Sequence, residues 1–267
     1  MTRDITWWLK LGWLCIKMRT ASQISYNRWS YFSLFFGQIL SYFGGFTVIW
    51  ATMRVFNAVK GWSVYEVVFL YALDLMAYAC SQAFVIPLWR MDELVLRGGL
   101  DDYLIRPLSP LVHIIARNFN LGYLAHISIS LAAIIFSYNQ LGMNWGVQHW
   151  LLLGVAVIGA SLIQAALTIM PASLTFWWTR ESLSGVIRWG LREFIRYPIS
   201  IYPVAVRIVL TFIIPMAFVN YYPALSLLGK NALLLWPTVT LAIGLVLIML
   251  SLVVWRAGLR RYASSGT

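Results

Sequence analysis

The sequence predicts an all-α integral membrane domain with six transmembrane helices and an N-terminal amphipathic helix in the membrane interface. Of its 267 residues, 61% are hydrophobic and 11% are charged, whereas a soluble domain has about 45–50% apolar and about 25% charged residues. The net charge is +11, but the basic residues lie between long apolar runs, as the loop charges of a membrane protein do. These observations exclude an ordinary soluble enzyme, a disordered protein and a nucleic-acid-binding module.

The first element, residues 1–28, is predicted to be a helix that lies in the cytoplasmic interface of the membrane. Apolar and basic residues alternate there at helical spacing, namely Trp7, Trp8, Trp13, Leu14 and Ile16 with Lys10, Lys17 and Arg19. No small-residue cleavage site follows, so the segment does not resemble a cleaved signal peptide. The alternative is an ordered N-terminal tail.

Six apolar segments are long enough to cross a bilayer, whose hydrocarbon core of about 30 Å needs roughly 20 helical residues. They cover residues 29–51, 65–86, 118–136, 150–178, 201–219 and 232–254. Tryptophans fall at or near the ends of these segments, as expected at headgroup depth. Pro203 and Pro215 lie within the fifth segment, and prolines kink or break the helix that they enter.

The distribution of lysine and arginine predicts that both termini lie in the cytoplasm. With six spans and a cytoplasmic N-terminus, sixteen of the twenty basic residues fall on the cytoplasmic side, which is where they accumulate in membrane proteins. The opposite side receives only Arg54, Lys60 and Lys230, and Arg207 falls within the fifth span. An odd number of spans would place the basic C-terminus on the wrong side.

Residues 87–117, between the second and third spans, form the longest polar stretch. Four of the nine acidic residues fall within eleven positions of it, namely Asp92, Glu93, Asp101 and Asp102. The pair Gly98-Gly99 ends a short helix, an aspartate can cap the next one, and two prolines follow. Two interpretations are open: a solvated loop, or a docking surface for a soluble partner.

Between the fourth and fifth spans, Arg188, Arg192 and Arg196 recur every four residues. This spacing places them on one helical face, which predicts a helix lying against anionic lipid. Contact with a substrate is the alternative role.

Asp74 and Arg207 are ionisable residues inside predicted spans, where a lone charge costs about 2.5–3.5 kcal/mol on insertion scales. Either they pair with each other, or Asp74 lines a path for cationic substrates. Gln38, Gln82 and Gln164 are further polar positions in the first, second and fourth spans. Interhelical hydrogen bonding is the favoured role for these glutamines.

Motifs for nucleotide chemistry and hydrolysis do not occur in the sequence. It has no GxxxxGK[ST] phosphate loop, no HExxH, no paired cysteine motif and no GxSxG. The three histidines are scattered, with no acids nearby at ligand spacing. The sequence therefore predicts neither a metal site nor a catalytic site in this chain.

Two sequence blocks resemble a signature of the six-helix permeases of ABC-2 type transporters. The first is residues 99–110, Gly-Leu-Asp-Asp-Tyr-Leu-Ile-Arg-Pro-Leu-Ser-Pro, and the second covers residues 194–203 and 210–224. The family-like residues of the second block are Arg196, Tyr197, Pro198, Tyr202, Pro203, Pro215, Asn220, Tyr221 and Pro223. More narrowly, the chain is similar to bacterial exporter permeases of about this length, some of them implicated in efflux of viologen-like organic cations.

The resemblance implies an elbow helix, six spans, a coupling helix between the second and third spans, and short re-entrant helices on the outer side before the last span. It implies a non-enzymatic permease subunit of an exporter in the bacterial inner membrane, paired with an identical or sister permease. Separate ATP-binding subunits would hold ATP and Mg²⁺, so that this chain needs no cofactor of its own. The residues that it implies for coupling to these subunits are Asp92, Glu93, Arg97, Asp101, Asp102, Tyr103 and Arg106.

The alternative function is that of a polytopic membrane protein outside transport, either an intramembrane enzyme or an assembly scaffold. Within the transport reading, an aromatic-rich interior suits amphipathic drugs, lipids and lipid-linked glycans equally well, since 16% of the residues are aromatic.

Overall fold

The computed structural model describes residues 14, 17–18, 20–22, 28–56, 61–106, 108–178, 194–230 and 234–262. The predicted interfacial helix at residues 1–28 lies largely outside these residues, although its described positions are helical. Arg188 and Arg192 of the predicted basic stripe also lie outside them.

All regular elements of the described chain are helices, which confirms the predicted all-α class. In chain order they are α1 (Arg28–Phe56), α2 (Val64–Val85), a 3-10 helix (Ile86–Arg90), α3 (Met91–Leu96), α4 (Asp101–Leu104), α5 (Pro110–Arg117), α6 (Tyr123–Gln140), α7 (Val147–Leu174), a 3-10 helix (Ile199–Ile201), α8 (Val204–Ile208), a π-helix (Val209–Ile213), a 3-10 helix (Met216–Phe218), α9 (Tyr221–Leu227) and α10 (Trp236–Leu259).

Three helical segments of the described chain are long and apolar enough to cross a membrane. They are Val64–Leu96, Val147–Leu174 and Trp236–Leu259. A fourth is added if the bent pair Val204–Ile213 and Met216–Leu227 is taken as one span. The first three overlap the second, fourth and sixth spans that the sequence predicts.

Local sequence features define the ends of several helices. At the start of α2, the Ser63 Oγ accepts a hydrogen bond from the Glu66 N–H at 3.4 Å, and the Ser63 N–H donates to Glu66 Oε2 at 2.7 Å. This capping box satisfies backbone groups that a helix terminus leaves unpaired. Gly98 and Gly142 follow α3 and α6 with φ angles of 66° and 58°, a conformation in which glycine is favoured.

The helix α2 lies at the centre of the bundle and packs against α6 and α7, while α7 packs along α10. Two glycines allow α7 and α10 to approach closely. A Cβ atom on Gly159 would lie 2.5 Å from the Leu241 backbone nitrogen, and one on Gly244 would lie 2.5 Å from the Gly159 carbonyl oxygen. Small residues at helix crossings serve this purpose in membrane proteins.

The structure differs from the predicted fifth span at residues 201–219. In place of one straight helix, residues 194–230, here called the hairpin, contain a series of short helices whose two main parts meet at 80°. The side-chain Nδ2 of Asn220 donates a hydrogen bond to the Ile195 carbonyl at 2.6 Å. Asn220, just beyond the predicted span, therefore lies beside Ile195, which precedes that span. A segment with an 80° bend is either a broken span or a re-entrant loop.

Prolines explain this departure. Pro215 lies at the bend and has no backbone N–H to continue a helix, and Pro198 and Pro203 interrupt the chain before it. The apolar side chains of the segment face one another across the fold, since Ile195 and Ile199 pack with Leu210, Met216 and Ala217. Phe218 and Val219 pack instead on α2 and α7, whereas Phe212 and Ile213 are exposed.

Candidate coupling module and intramembrane polar ladder

Residues 86–106 and 108–117, here called the loop module, form a packed unit at one end of the bundle. Their buried apolar side chains include Leu88, Met91, Val95, Leu100, Tyr103, Leu111 and Ile114. These pack against Ile169 and Ala172 of α7 and Trp255 of α10. Part of this polar stretch is therefore buried against the bundle.

The outer surface of the loop module carries both signs of charge. Glu93 lies between two arginines, 2.5 Å from Arg90 and 2.9 Å from Arg97, and both arginine side chains are 77% exposed. Ion pairs at such exposed positions contribute little to stability. Asp102 and Arg106 are also exposed, so that the module presents its charges to whatever lies against it.

Exposed apolar residues and a cleft accompany these charges. Leu96, Leu104 and Ile105 are exposed, Ile105 to 82%. A cleft of about 380 Å³ lies between α3 and α5, with Arg90, Arg97 and Tyr103 among its lining residues. Apolar contacts that are ringed by charges are typical of a protein interaction surface.

Tyr103 and His113 hold α4 against α5 beneath this surface. Their rings meet edge to face with centroids 4.9 Å apart, and the Arg117 guanidinium lies 5.9 Å from the Tyr103 ring centroid. Burial lowers the pKa of His113 below its usual value, and the positive charges of Arg106 and Arg117 lower it further. The neutral imidazole of His113 is therefore the form that fits this site. Tyr103 packs in the core of the module.

A chain of hydrogen bonds, here called the polar ladder, runs from the loop module into the bundle between α2 and α7. Trp89 Nε1–H donates to Gln82 Oε1 at 2.5 Å, and Gln82 Nε2 donates to Thr168 Oγ1 at 3.0 Å. The Thr168 hydroxyl in turn donates to the Gln164 carbonyl at 3.0 Å. Gln164 Nε2 also donates to Asp74 Oδ1 at 2.8 Å, and these five residues make up the polar ladder.

The structure thus brings Asp74 and Gln164 together as an interhelical pair. Asp74 is 0% exposed, whereas Arg207 of α8 is exposed and forms no ion pair with Asp74 among the described residues. Gln38 is half-buried on α1. Asp74 is therefore enclosed by the bundle in this structure.

Asn220 links the hairpin to the same region of α2. Its Nδ2 donates to the Leu70 carbonyl at 3.4 Å as well as to Ile195, and Leu70 lies one helical turn before Asp74. The family-like residues of the second sequence block all fall in the hairpin. Among them, Tyr221 packs against Trp62 with ring centroids 5.7 Å apart.

Sequence reasoning missed two members of the polar ladder. Trp89 reads as one of the interfacial tryptophans, and Thr168 reads as an ordinary residue of an apolar helix. The available signal is the spacing of Gln164 and Thr168, which are four residues apart and therefore share a helix face. Within the described part of the chain, no three His, Cys, Asp or Glu residues are grouped as a metal ion would need.

The comparison with known families agrees with this geometry. The family described as "ABC-2 family transporter protein" matches residues 36–266, a range that includes the loop module, the polar ladder and the hairpin. No curated protein and no solved structure matches the chain. With its apolar membrane-crossing helices, the chain belongs to the ABC-2 transporter family and is a multi-pass membrane permease component of an ABC transporter.

Proposed function

We propose that this chain is the permease subunit of an ATP-driven exporter and that the loop module binds its separate ATP-binding subunits. The observation that carries the proposal is the construction of the module. It is packed rigidly onto α7 and α10 by its apolar side chains, while mixed charges and the apolar side chain of Ile105 face outward. A subunit that receives a mechanical stroke from another chain needs such a firmly seated projection.

The charge distribution supports the orientation in which the loop module faces the cytoplasm. Both termini then lie there too, and six spans cross the cytoplasmic membrane of a bacterium. The end of the bundle opposite the module carries Lys230, which forms an ion pair with Glu66 at 3.0 Å and lies 4.9 Å from the Trp62 ring centroid. These residues would face the exterior.

The resemblance to exporter permeases favours outward transport by two such chains, identical or paired with a sister permease. ATP and Mg²⁺ would be bound by the partner subunits. The substrate path would lie between the two permease chains. Closure of the ATP-binding subunits would switch the opening of this path from one side of the membrane to the other. An amphipathic substrate suits this arrangement because of the high aromatic content of the chain.

Affinity purification of the tagged chain from its native membranes tests this function. We expect a P-loop ATPase to co-elute in equal numbers with the permease and to hydrolyse ATP in the purified complex. ATP hydrolysis should be lost when the P-loop lysine of the ATPase is substituted, because the permease would contribute no nucleotide site. Recovery of a homogeneous permease without any ATPase, from membranes solubilised in several mild detergents, would contradict the proposal.

A further inference from the structure

The junction between α2 and the loop module interrupts the α-helical hydrogen-bond pattern. The helix α2 ends at Val85, and the 3-10 helix Ile86–Arg90 follows directly. Its second residue, Pro87, has no backbone N–H to donate. Changes of helix type and prolines are sites at which helices bend. A force on the module would therefore bend this junction unless other contacts braced it.

Trp89 and Gln82 lie on opposite sides of this junction and are joined across it. The Trp89 indole N–H donates to the Gln82 side-chain oxygen, and the Gln82 amide donates onward to Thr168 of α7. Gln82 is 1% exposed, so bulk water does not compete for its bond to Thr168, whereas its bond to Trp89 is partly buried. Hydrogen bonds in a dry interior are strong and directional. The pair therefore braces the module against both α2 and α7.

The polar ladder continues from this brace toward the middle of the bundle. Its other end is at Asp74, one turn from Leu70, whose carbonyl accepts from Asn220 of the hairpin. Asp74 and Trp89 are 15 positions apart, which corresponds to roughly 22 Å at about 1.5 Å per helical residue. A hydrocarbon core is about 30 Å thick.

We propose that Gln82 and Trp89 are positioning residues that make the loop module, α2 and α7 move as one lever, so that displacement of the module reaches Asp74 and the hairpin. This inference rests on the proposed function, since it takes the ATP-binding subunits as the source of the displacement. The ladder is no path for protons, because the amides of Gln82 and Gln164 have no proton to exchange near neutral pH.

A single fluorescent label beside the hairpin tests the inference. Leu235 is exposed and precedes Trp236, whose ring stacks on Tyr222 of the hairpin at 4.6 Å. Bimane attached to Leu235→Cys, with Cys15 and Cys80 replaced by serine, senses this tryptophan by quenching. The sample is the permease with its co-purified ATP-binding subunits in nanodiscs, and the probe of coupling is the change in bimane emission on adding Mg-ATP and vanadate.

We expect the bimane emission to change in the otherwise unaltered complex. In the Trp89→Phe and Gln82→Met variants, the emission should change by less than half as much, although the ATP-binding subunits remain bound. Trp178→Phe is the control. It removes an exposed tryptophan that follows α7, near the helix end that packs on the module, and it should leave the response intact.

A full response in both Trp89→Phe and Gln82→Met overturns the inference. So does the absence of any response in the unaltered complex. Failure of the ATP-binding subunits to co-purify is a separate observation, made before labelling, and contradicts the proposed function.

Thr168 and Asp74 supply variants that preserve the fold. Thr168→Val is nearly isosteric and removes the hydroxyl, whereas Thr168→Ser keeps it, so that only the valine variant should lose the response. Asp74→Asn retains a side-chain oxygen that can accept from Gln164 and should respond as the unaltered protein does. If Asp74→Asn loses the response and Thr168→Val keeps it, the carboxylate charge is what matters and the ladder is not the link.

Discussion

Replacement of Gly159 by alanine is expected to force α7 away from α10 and to destabilise the protein strongly. The new Cβ atom would lie 2.5 Å from the Leu241 backbone nitrogen and 2.6 Å from its Cα atom. Backbone atoms cannot rotate away as the end of a side chain can, so the two helices have to separate. Overpacking of this kind costs about 1–3 kcal/mol or more. The unfolding temperature in detergent, followed by size-exclusion chromatography after heating, measures the effect.

Gly154 provides the matched control on the same helix. A Cβ atom there would meet nothing within 4 Å, and alanine is favoured over glycine inside a helix by roughly 0.5–1 kcal/mol. Gly154→Ala should therefore unfold at or above the temperature of the unaltered protein. Equal unfolding temperatures for Gly159→Ala and Gly154→Ala would show that α7 and α10 do not cross at these glycines.

Reversal of Asp101 and Asp102 to lysine should abolish stable binding of the ATP-binding subunits. Both residues lie in α4 at the surface of the loop module, next to exposed Leu104 and Ile105. Lysines there would place like charges against a basic partner surface, which costs several kcal/mol, and roughly 1.4 kcal/mol corresponds to a tenfold change in affinity. We expect at least about a hundredfold weaker binding, measured as the loss of the ATPase from the affinity-purified complex.

Two lysines at the other end of the bundle control for the added positive charge. Asn139 and Gln140 are adjacent and exposed at the end of α6 that is remote from the module. Asn139→Lys with Gln140→Lys should leave the complex intact. Normal ATPase recovery with the reversed aspartates, in a permease of unchanged abundance, would place the docking site elsewhere.

The long helices could be predicted from sequence because one physical signal defines them. Apolar runs of membrane-crossing length end at polar residues or turns, and the predicted segments 65–86, 150–178 and 232–254 correspond to α2, α7 and α10 with shifts of a few residues. The loop module was recognisable from its charges and glycines. Its seating on α7 and Trp255 depends on contacts between distant parts of the chain, which no local pattern contains.

The bend in the hairpin cannot be predicted from hydropathy alone. An apolar run has the same composition whether it is straight or bent, and the direction of the chain depends on Pro215 and on the Asn220 contact with Ile195. The hydrogen-bond partner of Asp74 could not be predicted from the sequence either. The sequence shows several polar residues on other predicted spans, but only the packing of α2 against α7 places Gln164 next to Asp74.

The central claim, that the loop module docks an ATP-binding subunit, is tested most directly by crosslinking from the surface of the module. In the first variant, photoreactive benzoylphenylalanine replaces Ile105, whose side chain is 82% exposed. In the control variant it replaces Val147, which is 78% exposed and lies at the opposite end of the bundle. After illumination of intact cells, we predict a covalent adduct between the Ile105 variant and a P-loop ATPase, and none from Val147. Adducts from Val147 alone, or none with an ATPase from Ile105, would contradict the account.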